Sequence, residues 1–219
     1  LLLSGAAGIY NFNGGHNLTG TGGILQLDAM SATMQVSTGM IIDTGLTFDQ
    51  NSGTVVVTTG TLAVEGVHDW TGGTVTGTGT VLYATSGTLN VQGDTTLDGI
   101  DVMIDGTATL SGGGGTSGAR QGLTLTNDAT VTVNAGGLLD FTGDDDILIV
   151  HTVGPNLDFA GLGEIKIAAG GQVFNIDNDL EIDAGLTLEQ SFTTFNVAAA
   201  KTFTIAGTYN WGGGEIAGS

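Results

Sequence analysis

The residues able to do chemistry are few, and most of them are acids. Two clusters stand out: Asp144-Asp145-Asp146, and the run Asn175-Ile176-Asp177-Asn178-Asp179-Leu180-Glu181-Ile182-Asp183. Calcium takes several oxygen ligands, which neighbouring chain segments could supply. Asp144, Asp145, Asp146, Asp177 and Asp179 are therefore candidate calcium ligands. Neither segment has the EF-hand spacing or the Gly-Gly-x-Gly-x-Asp nonapeptide, and a solvated acidic edge is the plainer reading. His16, His68 and His151 show no metal-ligand spacing. A lyase acting on acidic polysaccharide would need a basic residue, but Arg120, Lys166 and Lys201 all lie outside the acidic clusters. Glycoside hydrolysis needs two carboxylates at a set separation, and any chain this acidic contains some Asp pairs. No G-x-S-x-G elbow, phosphate-binding loop or dinucleotide fingerprint is present. These residues argue against an enzyme.

The elements that would carry such groups follow from composition. The chain has 219 residues, 40 of them Gly and 1 Pro, with 40% apolar and 11% charged residues. That is too apolar and too poorly charged for disorder, and Gly without a Gly-X-Y period excludes collagen. An ordered all-β chain that turns often remains. Asp and Glu number 22 against 3 Lys and Arg, a net charge of −19. The cations are scattered, which argues against binding nucleic acid or anionic membrane. Cys is absent, so stability must come from packing and backbone hydrogen bonds. Leu1-Leu2-Leu3-Ser4 is neither a signal peptide nor a membrane span, and the chain reads as a window of a longer one.

Internal repetition is the strongest signal. The pattern G-x-x-[ND]-[FW]-x-G occurs at 8–14, 66–72, 137–143 and 207–213. Its structural positions are Gly8 and Phe12, Gly66 and Trp70, Gly137 and Phe141, and Gly207 and Trp211, with the aromatics 58, 71 and 70 residues apart. Between them lie short alternations such as Gly60-Thr61-Leu62-Ala63-Val64 and Thr130-Val131-Thr132-Val133, the period-two signature of half-buried strands. Stacked equivalent units explain a long repeat built of similar strand-turn pieces. The expectation is a single right-handed parallel β-solenoid over 1–219, with about three coils of roughly 20–25 residues per repeat. The aromatics are expected in the core, Trp70 and Trp211 included. Asn11, Asp69, Asp140 and Asn210 are expected to hold corners through side-chain to backbone hydrogen bonds, and His68 to be a corner residue.

The run Asp69-Trp70-Thr71-Gly72-Gly73-Thr74-Val75-Thr76-Gly77-Thr78-Gly79-Thr80, followed by Ser86-Gly87-Thr88-Leu89-Asn90-Val91, resembles the β-strand repeats of large bacterial surface proteins. Those occur in autotransporter passengers and filamentous-haemagglutinin-like adhesins. The resemblance implies a secreted or cell-surface location and a structural rod that associates end to end or continues in a longer chain. An adhesin that binds glycan or a host surface protein is the alternative, and a polysaccharide-active solenoid the third reading. Ice binding would need Thr pairs in register on one face; Thr76 with Thr78, Thr124 with Thr126 and Thr130 with Thr132 recur irregularly, as ordinary strand propensity would leave them.

Overall fold

The computed structural model describes residues 1–4, 8–111, 120–127, 129–142, 149–153, 158–167 and 172–218. The Gly-bounded alternations form the strands. In Thr54–Val57, Thr61–Val64, Thr107–Leu110 and Thr130–Val133, the first and third residues face outward and the second and fourth are buried. Side chains that alternate across a strand give this result directly from the Thr-Val and Thr-Leu pattern. Among the described residues every regular element is a strand, and each pairs in parallel with its equivalent about one coil away. The chain is a parallel β-solenoid, as its composition and repeats imply.

Each full coil has three faces, and in all but coils 4 and 5 each face has its own strand. Coil 1 is Leu2–Leu3, Ile9–Phe12 and His16–Leu18; coil 2 is Gly23–Leu27, Thr33–Val36 and Met40–Ile42; coil 3 is Leu46–Gln50, Thr54–Val57 and Thr61–Val64. In coil 4, Val67–Gly77 runs through a corner to serve two faces before Thr80–Tyr83, and in coil 5 Thr88–Asp98 does the same before Asp101–Ile104. Coil 6 is Thr107–Leu110, Arg120–Thr126 and Thr130–Val133; coil 7 is Leu138–Phe141, Ile149–Val153 and Asp158–Gly161. Coil 8 is Glu164–Ile167, Gln172–Ile176 and Leu180–Ile182; coil 9 is Thr187–Gln190, Thr193–Val197 and Phe203–Ile205. Thr208–Trp211 and Gly214–Gly218 begin coil 10. With strands about 4.8 Å apart, the stack is about 45 Å long.

Register converts sequence positions into columns. Trp70, Phe141 and Trp211 occupy one column of the first face, in coils 4, 7 and 10, so the 70-residue repeat is three coils. Phe12 departs from it. It pairs with Val36 on the second face, so the 8–14 copy of the pattern is not structurally equivalent to the others, and its 58-residue interval reflects the change of face. The repeated Gly has a steric cause in three copies. A Cβ on Gly66, Gly137 or Gly207 would lie 2.2, 2.1 or 2.2 Å from a carbonyl oxygen of an earlier coil, whereas at Gly8 it would meet only the Tyr10 ring, at 3.1 Å.

The corner between the third and first faces is a recurring four-residue turn. The N–H of Leu46, Gly87, Gly137 or Leu186 donates to the carbonyl three residues back, on Asp43, Ala84, Asn134 or Asp183. The corner acids and amides are thus Asp43, Asn134 and Asp183. Asp69, Asp140 and Asn210 instead point outward from mid-strand on the first face, and Asn11 sits mid-strand on the second. The corner role expected for these four is corrected: a period-two strand, not a turn, follows the repeated Gly.

The interior is one continuous apolar cluster from Leu3 to Phe195. Trp70 is completely buried, its Nε1–H donating to Gly72 O at 2.9 Å across the bulge at that corner. Trp211 is 66% exposed, against the burial expected for it. Gln50 and Val91 flank Trp70 on either side, while Trp211 lies on the last described coil with only Gln190 paired beneath it.

Candidate functional site

The outward column of the first face carries most of the polar chemistry. It runs Gln26, Asp49, Asp69, Asn90, Thr109, Asp140, Lys166, Glu189 and Asn210. Parallel register stacks these groups one per coil, and amides tie the carboxylates together. Gln26 Nε2 donates to Asp49 Oδ2 at 3.1 Å, and Asn90 Nδ2 to Asp69 Oδ1 at 2.8 Å. The Asp49 carboxyl is held above its ordinary range, first by partial burial and then by the neighbouring Asp69 and Asp28, against the lowering effect of its Asn51 and Gln26 hydrogen bonds. Partial burial likewise raises Asp140, with Lys166 opposing and Glu189 adding to the rise. The column is a line of carboxylates and amides interrupted by Thr109 and Lys166, able to hydrogen-bond hydroxyl groups laid along the rod.

The second face presents Thr33, Thr54, Thr74, Thr96 and Thr124 in register on coils 2 to 6. No fixed period marks this ladder in the sequence, because its successive intervals are 21, 20, 22 and 28 residues. The neighbouring Thr hydroxyls are used within the rod. Thr76 Oγ1 donates to Asp98 O at 2.7 Å and Thr126 Oγ1 to Asp98 Oδ1 at 2.9 Å. Together with Asn127 these hydroxyls hold the Asp98 carboxyl below its usual range. Thr130 and Thr132 stand on the third face. The third face bears an open groove of about 610 Å³ over Asn17, Ile41, Ala63 and Leu82.

Of the candidate calcium ligands the structure describes Asp177 and Asp179, and they join no cluster of three possible metal ligands among the described residues. Asp144, Asp145 and Asp146 lie outside the described residues. Asp177 is exposed beside Asn175 and Asn196 in a shallow cleft of about 350 Å³. Asp179 is committed elsewhere, its Oδ1 accepting the Thr202 N–H at 2.8 Å. Among the described residues no three His, Cys, Asp or Glu side chains converge.

Sequence reasoning missed the polar interior of coils 3 to 5. His68, expected at a corner, is 1% exposed inside the first face. Its ring stacks on Phe48 at 4.5 Å, and its Nδ1 lies 2.8 Å from the Tyr83 hydroxyl. Burial drives the His68 pKa down to about 3 and pushes the Tyr83 hydroxyl up. Gln50 is enclosed beside Trp70, its Nε2 donating to Thr74 O at 3.3 Å. His68 Nε2, Gln50 Oε1 and Thr95 Oγ1 are buried without a hydrogen-bond partner. Gln190 stands beside Trp211 as Gln50 does beside Trp70, and its Oε1 accepts the Tyr209 hydroxyl. A signal existed: Ile42-Asp43-Thr44-Gly45-Leu46-Thr47-Phe48-Asp49-Gln50 recurs as Ile182-Asp183-Ala184-Gly185-Leu186-Thr187-Leu188-Glu189-Gln190, two 70-residue repeats later. Compared with known proteins, the chain matches no family model, no curated protein and no solved structure.

Proposed function

We propose that this chain is a rigid β-solenoid rod, a structural segment of a secreted bacterial surface appendage, extracellular fibre or matrix. The observation that carries the reading is the parallel register, which continues on three faces from Leu2 to Gly218. A stack of this kind resists bending because each coil shares backbone hydrogen bonds and apolar packing with the next. Outward ladders such as Gln26 to Asp49 and Asn90 to Asp69 add cross-coil bonds, and a charge of −19 keeps rods apart in solution. Small-angle scattering from the isolated chain should show a rod with one long dimension, and a spherical profile would sink the proposal. The location has its own test. Antibody against the chain should label intact cells of the source organism before permeabilisation, and labelling only afterwards would remove the surface assignment.

The polar column of the first face supports a second reading, an adhesin for neutral glycans. Its polar groups, mostly carboxylates and amides, recur once per coil along the rod axis. Binding on a glycan array that disappears in Asp69→Ala with Asn90→Ala would favour it over a purely structural rod.

A further inference from the structure

We propose that coils 3 to 5 form an acid-sensitive joint in the rod, in which protonation of His68 opens these coils while coils 7 to 9 stay closed. The His68 ring is enclosed by Phe48 at 4.5 Å, Trp70 at 5.8 Å and Tyr83 at 6.0 Å, all near-parallel to it. A neutral imidazole suits this place, since Nδ1 has the Tyr83 hydroxyl 2.8 Å away and Nε2 has no partner. An imidazolium must donate from both nitrogens, and its Nε2–H would be a buried, unpaired, charged donor. Opening the coils is the way to hydrate it.

No anion is placed to compensate. On the strands around His68 the carboxylates are Asp49, Asp69, Asp94, Asp98 and Asp101, all on outward positions, with Glu65 at the preceding corner. The titratable group facing the ring is Tyr83. Histidine is not demanded by the fold either. The same register position holds Leu25, Phe48, Leu89, Ala108, Leu139, Ile165, Leu188 and Tyr209 in other coils.

The sign follows from proton counting. The folded pKa, about 3, lies below the ordinary 6.5, so between these values the opened form binds one more proton than the closed form. Opening therefore grows as pH falls, approaching tenfold per pH unit below 6.5, and by pH 4.5 is about a hundredfold greater than well above pH 6.5. Asp49 acts in the opposite direction, because its raised carboxyl favours the closed state on protonation, so it cannot mimic the effect.

The test is hydrogen exchange with mass spectrometry on the whole chain at pH 7.0, 5.5 and 4.5. Rates are expressed as protection factors, which removes the intrinsic pH dependence of exchange. Protection over residues 46–104 should fall by roughly tenfold at each of the two pH steps, protection over 164–205 should hold, and His68→Leu should abolish the difference. Unchanged protection over 46–104, equal loss in both regions, or the same loss in His68→Leu would overturn the proposal. Nuclear magnetic resonance of the His68 ring in the unmodified chain is independent of whether the variant folds. A ring that titrates near pH 6.5 while its coils stay protected also overturns it.

Discussion

Coils 3 to 5 and coils 7 to 9 have the same three-faced backbone, and both bury polar side chains. In coil 9 the buried Gln190 and Thr193 are hydrogen-bonded, whereas in coils 3 to 5 a titratable ring is enclosed and buried polar atoms lack partners. In the first, the enclosed side chains include Phe48, Gln50, His68, Trp70, Tyr83 and Thr95, with three buried polar atoms left unpartnered. In the second, Phe141, Phe174, Phe195 and Phe203 follow one another at ring-centroid distances of 4.8, 5.4 and 5.0 Å. They surround a void of about 10 Å³ lined by apolar side chains, at the limit of what admits a water molecule and without the polar partners a water needs. The difference teaches that parallel stacking specifies where a side chain sits and how much room it has, not its polarity. Backbone hydrogen bonds and corner glycines hold both interiors, so the one that encloses His68 can be kept for a property the other lacks.

The largest expected effect treats both regions alike. Trp70→Ala and Phe174→Ala each empty a buried aromatic site and should cost about 3–5 kcal/mol. Denaturant unfolding at pH 7 measures both. A cost below about 1 kcal/mol for Trp70→Ala would show that the bulge beside it, not the ring, holds that corner. Trp211→Ala, at the exposed counterpart, should cost far less. Acrylamide should quench one of the two indoles and spare the other.

Acid separates the regions. His68 has a depressed folded pKa, so its contribution is fully present above pH 6.5 and is lost as pH falls toward 3. By pH 4.5 the loss is about 3 kcal/mol, two pKa units at 1.36 kcal/mol each. Asp98, whose carboxyl is also depressed, contributes above pH 3.8 and loses its effect only below that. A stability curve flat from pH 6.5 to 4.5 in the unmodified chain, or equally sloped in His68→Leu, would dissolve the contrast between the two interiors.

The outward column sharpens the comparison on the surface. In coils 4 and 5, Asn90 satisfies Asp69 through a direct hydrogen bond of 2.8 Å. In coils 7 to 9, Lys166 stands between Asp140 and Glu189 and acts on Asp140 through charge. Asn90→Ala should cost about 1 kcal/mol with little salt dependence, whereas Lys166→Ala should cost about 0.5 kcal/mol and lose most of that in high salt. Melting temperatures at low and high ionic strength distinguish the two.

What the sequence made legible is the part fixed by local chemistry. Thr61-Leu62-Ala63-Val64 and similar alternations name their own inner and outer faces, and Gly66, Gly137 and Gly207 mark where a Cβ would strike an earlier coil. Three coils per repeat also follows from the spacing of Trp70, Phe141 and Trp211. Illegible was whatever depends on register between coils of unequal length. The Gly8 to Gly14 pattern fits the rule and still falls on another face, because any face can be entered through a Gly and a short strand. His68 reads as a corner residue and Gln50 draws no attention, since a polar side chain carries no mark of the column it will enter. The Thr33 to Thr124 ladder is equally hidden by coils of different length.

The smallest effect concerns Asp179, where two accounts of one acid diverge. As a calcium ligand it would stabilise the rod only when the ion is present, by an amount set by ion concentration over the dissociation constant. As the structure places it, Asp179 Oδ1 accepts the Thr202 N–H at the turn that leads to Phe203–Ile205. That bond is exposed, so Asp179→Ala should cost about 0.5 kcal/mol, the same in chelator and in millimolar calcium. Asp177→Ala makes the control, because Asp177 lines the cleft with Asn175 and Asn196 and has no such bond to lose. Thermal unfolding of both variants with and without calcium decides between the accounts. A calcium-dependent stabilisation that either substitution removes would restore the metal reading for this edge. A small, calcium-independent loss in Asp179→Ala alone leaves the acid as a turn cap, with its charge a by-product of the hydrogen bond.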